Sequence, residues 1–234
     1  MAFIDTIPPN DASGEVREMY QRQQDKYGYV PNYAKAFSHR PELMARWAAL
    51  QSGIRAHVDA RRFELATFVA SHALESSGCA LAHGKLLMQY LPADDVRAIA
   101  EDDLSRTSLS ATDAAIVRFA RKVALDAPGV TAGDVAALAR HGLSDAEIFD
   151  LAAVVAARAF FAKLLDAIGV EADNRFQDMD DAMRRTLTVG RPIDFRPLEV
   201  MDRLDACARG ANRSDRMHGE NRPAPAARDS RPTL

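Results

Sequence analysis

The chain has 234 residues, 47% of them hydrophobic and 27% charged, with a formal net charge of −3. That length buries a full core as one large domain or two small ones, and the charge balance excludes the basic footprint of a nucleic-acid binder. No run approaches about 18 consecutive apolar residues, so no membrane span is expected, and the opening MAFIDTIPPNDASGE lacks the basic and apolar regions of a secretory leader. Two cysteines, Cys79 and Cys207, make neither a disulfide framework nor a CxxC metal pair. A reducing cytoplasm is the simplest home for such a chain, and neither a metal site nor a cofactor is expected.

Nearly every segment before about residue 190 reads as helix. Glu15 to Lys26 is a short polar helix, followed by a loop over Tyr27-Gly28-Tyr29-Val30-Pro31-Asn32. Pro41 opens the next helix from the favoured first position. Arg61 to Glu75, rich in Ala, Leu, Phe and Val, reads as a core helix, and Cys79 to Tyr90 follows it. Leu91-Pro92-Ala93-Asp94 separates that helix from Asp95 to Ala100. Leu109-Ser110-Ala111-Thr112-Asp113 carries a capping signature, Thr131 caps the helix over Val130 to Arg140, and Leu143-Ser144-Asp145-Ala146-Glu147 opens another. Ile148 to Ile168 is apolar almost all round, the pattern of a helix buried in a core or against another subunit. No alternating strand pattern competes, so the fold class is all-α. From about Arg191 the character changes: RPIDFRPLEVMDRLDACARG has room for one more short helix, and Asn212 to Leu234 has too little to bury to be ordered. This sets residues 1–190 as a helical domain and 191–234 as an extension, largely disordered after about 211.

The chemistry concentrates in Glu64 to His83, ELATFVASHALESSGCALAH. Cys79 and His83 are spaced i, i+4, which on a helix puts them on one face about one turn apart. A thiol attacks only as thiolate, and an adjacent imidazole is one of the few groups that generates it near neutral pH. The Ser76-Ser77-Gly78 run ahead of Cys79 breaks one helix and starts another, so Cys79 falls in a first turn where free N–H groups and the helix dipole also favour thiolate. Alone, Cys79 would read as a small buried hydrophobe and His83 as a satisfied core histidine. Glu64 is a carboxylate in an apolar helix, where it is costly unless paired or functional. Arg61 and Arg62 lie close enough in sequence to make it an ordinary ion pair. Ser76 caps the helix that starts near Cys79, or its hydroxyl donates to the thiolate or to a bound substrate. His72, one turn before Ser76, along with Ser71, Tyr29, Tyr27 and Trp47, are candidates to line a substrate cavity, with packing as the plainer role for each. The acidic runs Glu101-Asp102-Asp103 and Asp180-Asp181 read as solvated surface, and Cys207 as an incidental thiol rather than a partner of Cys79.

This pattern resembles the carboxymuconolactone decarboxylase superfamily, and within it the alkylhydroperoxidase AhpD-like, peroxidase-related branch. The resemblance covers roughly residues 8–172. It rests on YGYVPN (27–32) before a proline-started helix, on the Glu64 helix leading to Cys79 and His83, and on LSATDAAIVRFARKV, GVTAGDVAALARHGLSDAEI and AFFAKLLDAIGVEAD further along. The family's pattern is a glutamate, then Cys-x-x-Cys twelve residues on, then x-x-x-His. Laid on this chain, the glutamate is Glu64, the second cysteine Cys79 and the histidine His83, while Ser76 occupies the first cysteine position. The family's usual Asn and Tyr around the pair are Leu74 and Gly78 here.

The resemblance implies a helical bundle that assembles through apolar helices into a homotrimer or homohexamer. It implies a thiol-dependent hydroperoxide reductase with Cys79 as nucleophile and His83 and Glu64 as a proton relay. With Ser76 in place of a resolving cysteine, the sulfenic acid formed at Cys79 would need an external thiol or Cys207. It also implies an alternative: an acid–base lyase acting on a small organic acid or lactone through His83 and Glu64, with Cys79 merely packing. A helical oligomer with a binding role only is the third reading.

Overall fold

The computed structural model describes residues 2–193. The short helix expected after Arg191, the disorder expected after residue 211, and Cys207 all lie outside the described residues. Within them ten α-helices and five short 3-10 turns account for the regular structure, apart from one isolated bridge between Ser76 and Gly190. In chain order the helices are α1 Gly14–Tyr27, α2 Asn32–Ala36, α3 Pro41–Arg55, α4 Ala60–Ala73, α5 Ser77–Leu87, α6 Ala93–Ala100, α7 Ala111–Asp126, α8 Ala132–Arg140, α9 Asp145–Ala167 and α10 Asp181–Leu187.

Local chemistry sets most of these boundaries. Pro41 occupies the first turn of α3, and the Asp59 carboxylate accepts from the Arg62 N–H to start α4. Ser110 accepts from the Asp113 N–H at the head of α7. Thr131 with Asp134, and Ser144 with Glu147, close complete capping boxes at α8 and α9. Two elements escaped the sequence reading. The end of the YGYVPN loop turns at once into α2 behind Pro31, and Asp180, read as plain solvated surface, caps α10 by accepting from the Ala182 and Met183 N–H groups.

The helix α4 runs through the middle of the bundle. Every residue from Phe63 to Ser71 is buried, which requires neighbours on all sides: α5, α7 and α9 supply them, with α6 touching one end. α10 lies against α5 and α6, while α1 and α3 pack on each other and α3 leans on α9. The α3–α9 contact is aromatic, with Trp47 stacked on Phe161 at 4.9 Å between ring centroids and tilted against Phe160. Trp47, considered above as a cavity wall, is a packing residue of this seam. α9 is buried along Ile148, Leu151, Val154, Val155, Phe161 and Leu165, yet Phe149 is 72% exposed and Phe160 45%.

α4 and α5 form a helical hairpin joined by Leu74, Glu75 and Ser76. The reversal places Glu75 at φ +56°, and the loop carrying Gly190 closes over it: a Cβ on Gly190 would sit 2.2 Å from the Glu75 carbonyl oxygen. Ser77 adds a second tie, its hydroxyl lying against the Val189 and Arg191 carbonyls. Close approach continues along α5, where a Cβ on Gly84 would meet Leu187 at 2.5 Å and Phe68 at 3.2 Å. The hairpin thus fixes both the turn before Cys79 and the spacing between α4 and α5.

Candidate active site

Folding the hairpin solves a problem that helix periodicity alone leaves open, because Glu64 sits near the start of α4, far from Cys79 in sequence. With α5 folded back along α4, Nδ1 of His83 comes to 2.7 Å from Oε2 of Glu64. The other carboxylate oxygen pairs with Arg55 at the end of α3. Arg61 and Arg62, the sequence neighbours considered as partners, are engaged elsewhere: Arg61 with Asp113 at 3.0 Å and Arg62 with Glu147 at 3.1 Å. Glu64 is therefore shared between a half-exposed arginine and a mostly buried histidine.

Burial works to raise the Glu64 carboxyl, but the His83 hydrogen bond and the charges of Arg55 and Arg158 outweigh it and hold the carboxyl below the usual carboxylate range. Burial pushes the His83 imidazole down to about 4, and the Arg158 charge acts in the same direction. Near neutral pH the pair is thus an ionised carboxylate and a neutral ring. The ring proton belongs on Nδ1, donating to Glu64, and Nε2 keeps a free lone pair.

Cys79 occupies the first turn of α5, as expected, and is buried at 6% exposure. It shares one face of α5 with His83. Its polar contact comes from a residue the sequence reading missed: Nη1 of Arg158, on α9, donates to the Cys79 sulfur at 3.7 Å. Arg158 is itself buried at 6% exposure. The available signal was a single arginine inside the otherwise apolar Ile148–Ile168 run. Arg55 was missed because it lies at the far end of another helix and reaches Glu64 only through tertiary packing.

Ser76 stands at the N-cap position of α5 but makes no capping bond with its side chain. The expectation of a cap is corrected: its buried hydroxyl instead donates to the carboxylate of Asp166 on α9. Asp166 is raised by its burial, with the Ser76 hydrogen bond opposing the rise, so an oxygen donor is useful at this spot.

Three of the five residues considered as lining a substrate cavity have their polar atoms engaged elsewhere. The Ser71 hydroxyl is fully buried and donates to the Thr67 carbonyl at 2.7 Å. His72 hydrogen-bonds the Thr186 backbone of α10, and burial lowers its pKa. Tyr29 donates to Asp173 at 3.1 Å, and burial pushes its phenol up to about 12. Among the described residues no group of three or more His, Cys, Asp and Glu is arranged to hold a metal ion, and no helix is long and apolar enough to cross a membrane.

An all-helical bundle with a carboxylate–imidazole pair and a buried thiol on its central hairpin defines the class, and the fold is AhpD-like. Over 81% of this chain and 98% of its own length, an uncharacterized peroxidase-related protein from Ralstonia eutropha JMP134, described as an alkylhydroperoxidase AhpD core, superposes with a TM-score of 0.62 at 21% identity. An uncharacterized peroxidase-related protein from Silicibacter sp. TM1040 gives 0.60, also at 21% identity, over 75% of this chain and 91% of that one. The debrominase Bmp8, as a cysteine-to-alanine variant in complex with 2,3,4-tribromopyrrole, gives 0.58 at 16% identity over 78% and 94%. No protein-family model matches the sequence and no curated protein does.

Proposed function

We propose that this protein is an AhpD-like, thiol-dependent hydroperoxide reductase with Cys79 as nucleophile. The observation that carries the reading is the Glu64–His83 hydrogen bond on the helix face that bears Cys79. It leaves an unprotonated Nε2 one turn from a thiol, the arrangement of an activated nucleophile with an oriented base. The Cys79 sulfur attacks the distal oxygen of the hydroperoxide; an S–O bond forms, the O–O bond breaks and the alcohol leaves. Sulfur is oxidised to sulfenic acid while the peroxide is reduced. An external thiol then condenses with the sulfenic acid, releasing water and leaving a mixed disulfide, and a second thiol restores Cys79. Ser76 excludes an internal resolving step with the neighbouring position, so turnover depends on the added thiol.

One observation favours a second reading. The Glu64–His83 pair is complete without sulfur, so an acid–base lyase acting on a small organic acid or lactone would use the same two residues and leave Cys79 to pack. Peroxide consumption by purified protein with a small dithiol separates the two. Reduction in wild type, lost in Cys79→Ser and in His83→Ala, supports the peroxidase. No consumption by wild type, or consumption that survives Cys79→Ser, overturns it, whereas a lyase keeps its turnover in Cys79→Ser and loses it in His83→Ala. Because one neighbour is a debrominase crystallised with a tribromopyrrole, the substrate panel includes a bromopyrrole.

Assembly belongs to the same proposal. Phe149 and Phe160 project from α9 at 72% and 45% exposure, three helical turns apart and with Ala156 exposed between them. A second copy of this chain covers them in a homotrimer or homohexamer. Light scattering that returns a monomer overturns this part, and Phe149→Ser shifts an oligomer to smaller species. A reducing cytoplasm would supply the external thiol.

A further inference from the structure

Among the described residues, Arg158 is a buried cation with no carboxylate in ion-pair contact. Only 6% of it is exposed, its Nε has no hydrogen-bond partner, and its Cζ lies 5.3 Å from the centroid of the Phe161 ring. Its hydrogen bond goes from Nη1 to the Cys79 sulfur at 3.7 Å. The carboxylates nearby are taken: both oxygens of Glu64 are engaged by Arg55 and His83, and Asp166, on the same helix as Arg158, holds Ser76. An arginine side chain cannot discharge itself; its charge reaches the Glu64 carboxylate, but that group is already shared by Arg55 and His83, and a buried cation with no anion in contact is unfavourable. The group in contact with it that can become an anion is the Cys79 thiol.

We propose that Arg158 is a catalytic residue, the counter-ion that holds Cys79 as thiolate, in place of the imidazolium of an ordinary cysteine–histidine pair. This rests on Cys79 being the nucleophile and assigns the rest of the site. The titratable groups that feel the Arg158 charge are His83 on α5 and Glu64 on α4, both coupled to Arg55 on α3 as well; Asp166 on α9 holds Ser76 at the head of α5, and α10 presents the Thr186 backbone to His72 on α4. With Arg158 beside it, His83 is disfavoured as a cation, so it does not store the thiol proton; its Nε2 is free to move the substrate's proton. The thiolate attacks the distal, protonated oxygen, the S–O bond forms and the O–O bond breaks. The hydroxyl proton passes through His83 Nε2 to the departing alkoxide. Products are the alcohol and a sulfenate, and the single negative charge that begins on sulfur beside Arg158 ends on the sulfenate beside Arg158. Nothing but the hydroperoxide is needed as oxidant.

The test is the pH profile of Cys79 alkylation by iodoacetamide in the full chain, with Cys207→Ser removing the second thiol. It reads the thiolate directly and requires no peroxide turnover. Arg158→Met is expected to move the profile's midpoint up by about one pH unit or more, roughly tenfold slower alkylation below the wild-type midpoint. Arg158→Lys recovers most of the shift, and His83→Gln moves the midpoint far less than Arg158→Met does. Should Arg158→Met fail to fold, Arg158→Gln takes its place with the same expected rise, and a His83→Gln shift as large as that of Arg158→Gln overturns the assignment. An Arg158→Met midpoint equal to wild type overturns it as well. If the profile moves as stated while no peroxide is consumed, the counter-ion role stands and the peroxidase reading alone falls.

Discussion

Glu64 Oε2 and His83 Nδ1, nineteen positions apart in sequence, are joined at 2.7 Å across the α4–α5 hairpin. The bond orients the ring and fixes its tautomer. Glu64→Gln keeps the shape, removes the charge that holds the proton on Nδ1, and allows the ring to turn its N–H towards the thiol. Peroxide reduction in that variant is expected to fall about 10²-fold or more in kcat/KM, with a thermal midpoint close to wild type. Unchanged kcat/KM in a folded Glu64→Gln protein would remove His83 from the relay.

The same pair sets an acid limit on stability. In the folded chain His83 stays neutral down to about pH 4, whereas the unfolded chain protonates it from about 6.5. Unfolding therefore takes up a proton in that window, so this contribution is complete above 6.5 and shrinks as pH falls towards 4. Glu64, held below 4.5 in the fold, contributes above 4.5 and loses its share as pH falls through its lowered folded value. Urea midpoints for wild type are expected to drop from pH 6.5 downward, while His83→Gln falls less steeply and keeps only the share of His72, which burial also lowers, until the carboxylates begin to protonate. Parallel curves for the two proteins would show that the imidazole is not buried neutral.

Gly190 is expected to be more sensitive than a surface glycine has reason to be. It sits at φ +64°, and a Cβ there would lie 2.2 Å from the Glu75 carbonyl oxygen, whereas Gly142 at φ +87° has open space around it. Gly142→Ala should carry only the left-handed strain, about 1 kcal/mol, and Gly190→Ala that strain plus a displaced loop, roughly 2–3 kcal/mol in all. Because that loop ties Ser76 and Ser77 in place, Gly190→Ala should also slow Cys79 alkylation in the folded protein. Equal thermal midpoints for the two variants would mean that the loop yields without cost.

How far the sequence reached depends on which forces place each residue. The helix starts at Pro41, Ser110, Thr131 and Ser144 were legible because capping is decided within four residues. α10 was not, because its apolar positions Met183 and Leu187 acquire meaning only against α5 and α6. In the site, the shared face of Cys79 and His83 follows from helical spacing alone. The partners of Glu64 do not: Arg61 and Arg62 lie nearer in sequence, yet the α4 surface turns them towards α7 and α9. Arg158 is seventy-nine positions from Cys79, and no local rule pairs them.

Ser76 and Cys79 occupy the N-cap and third positions of α5, with two residues between them at a helix start, the placement in which a Cys-x-x-Cys pair closes a disulfide. Ser76→Cys is therefore expected to convert the site from one that stops at sulfenic acid to one that resolves internally. After one equivalent of hydroperoxide, titration of free thiols in a Cys207→Ser background should fall from two to none, and a sulfenic-acid trap that labels wild type should no longer label the variant. The change has a cost. A thiol is a weaker donor than the Ser76 hydroxyl towards Asp166, whose burial already disfavours its charge, so a loss of about 0.5–1.5 kcal/mol in stability is expected. Persistence of two free thiols after peroxide, with the trap still reacting at Cys79, would show that the turn holds the introduced sulfur towards α9 and away from the nucleophile.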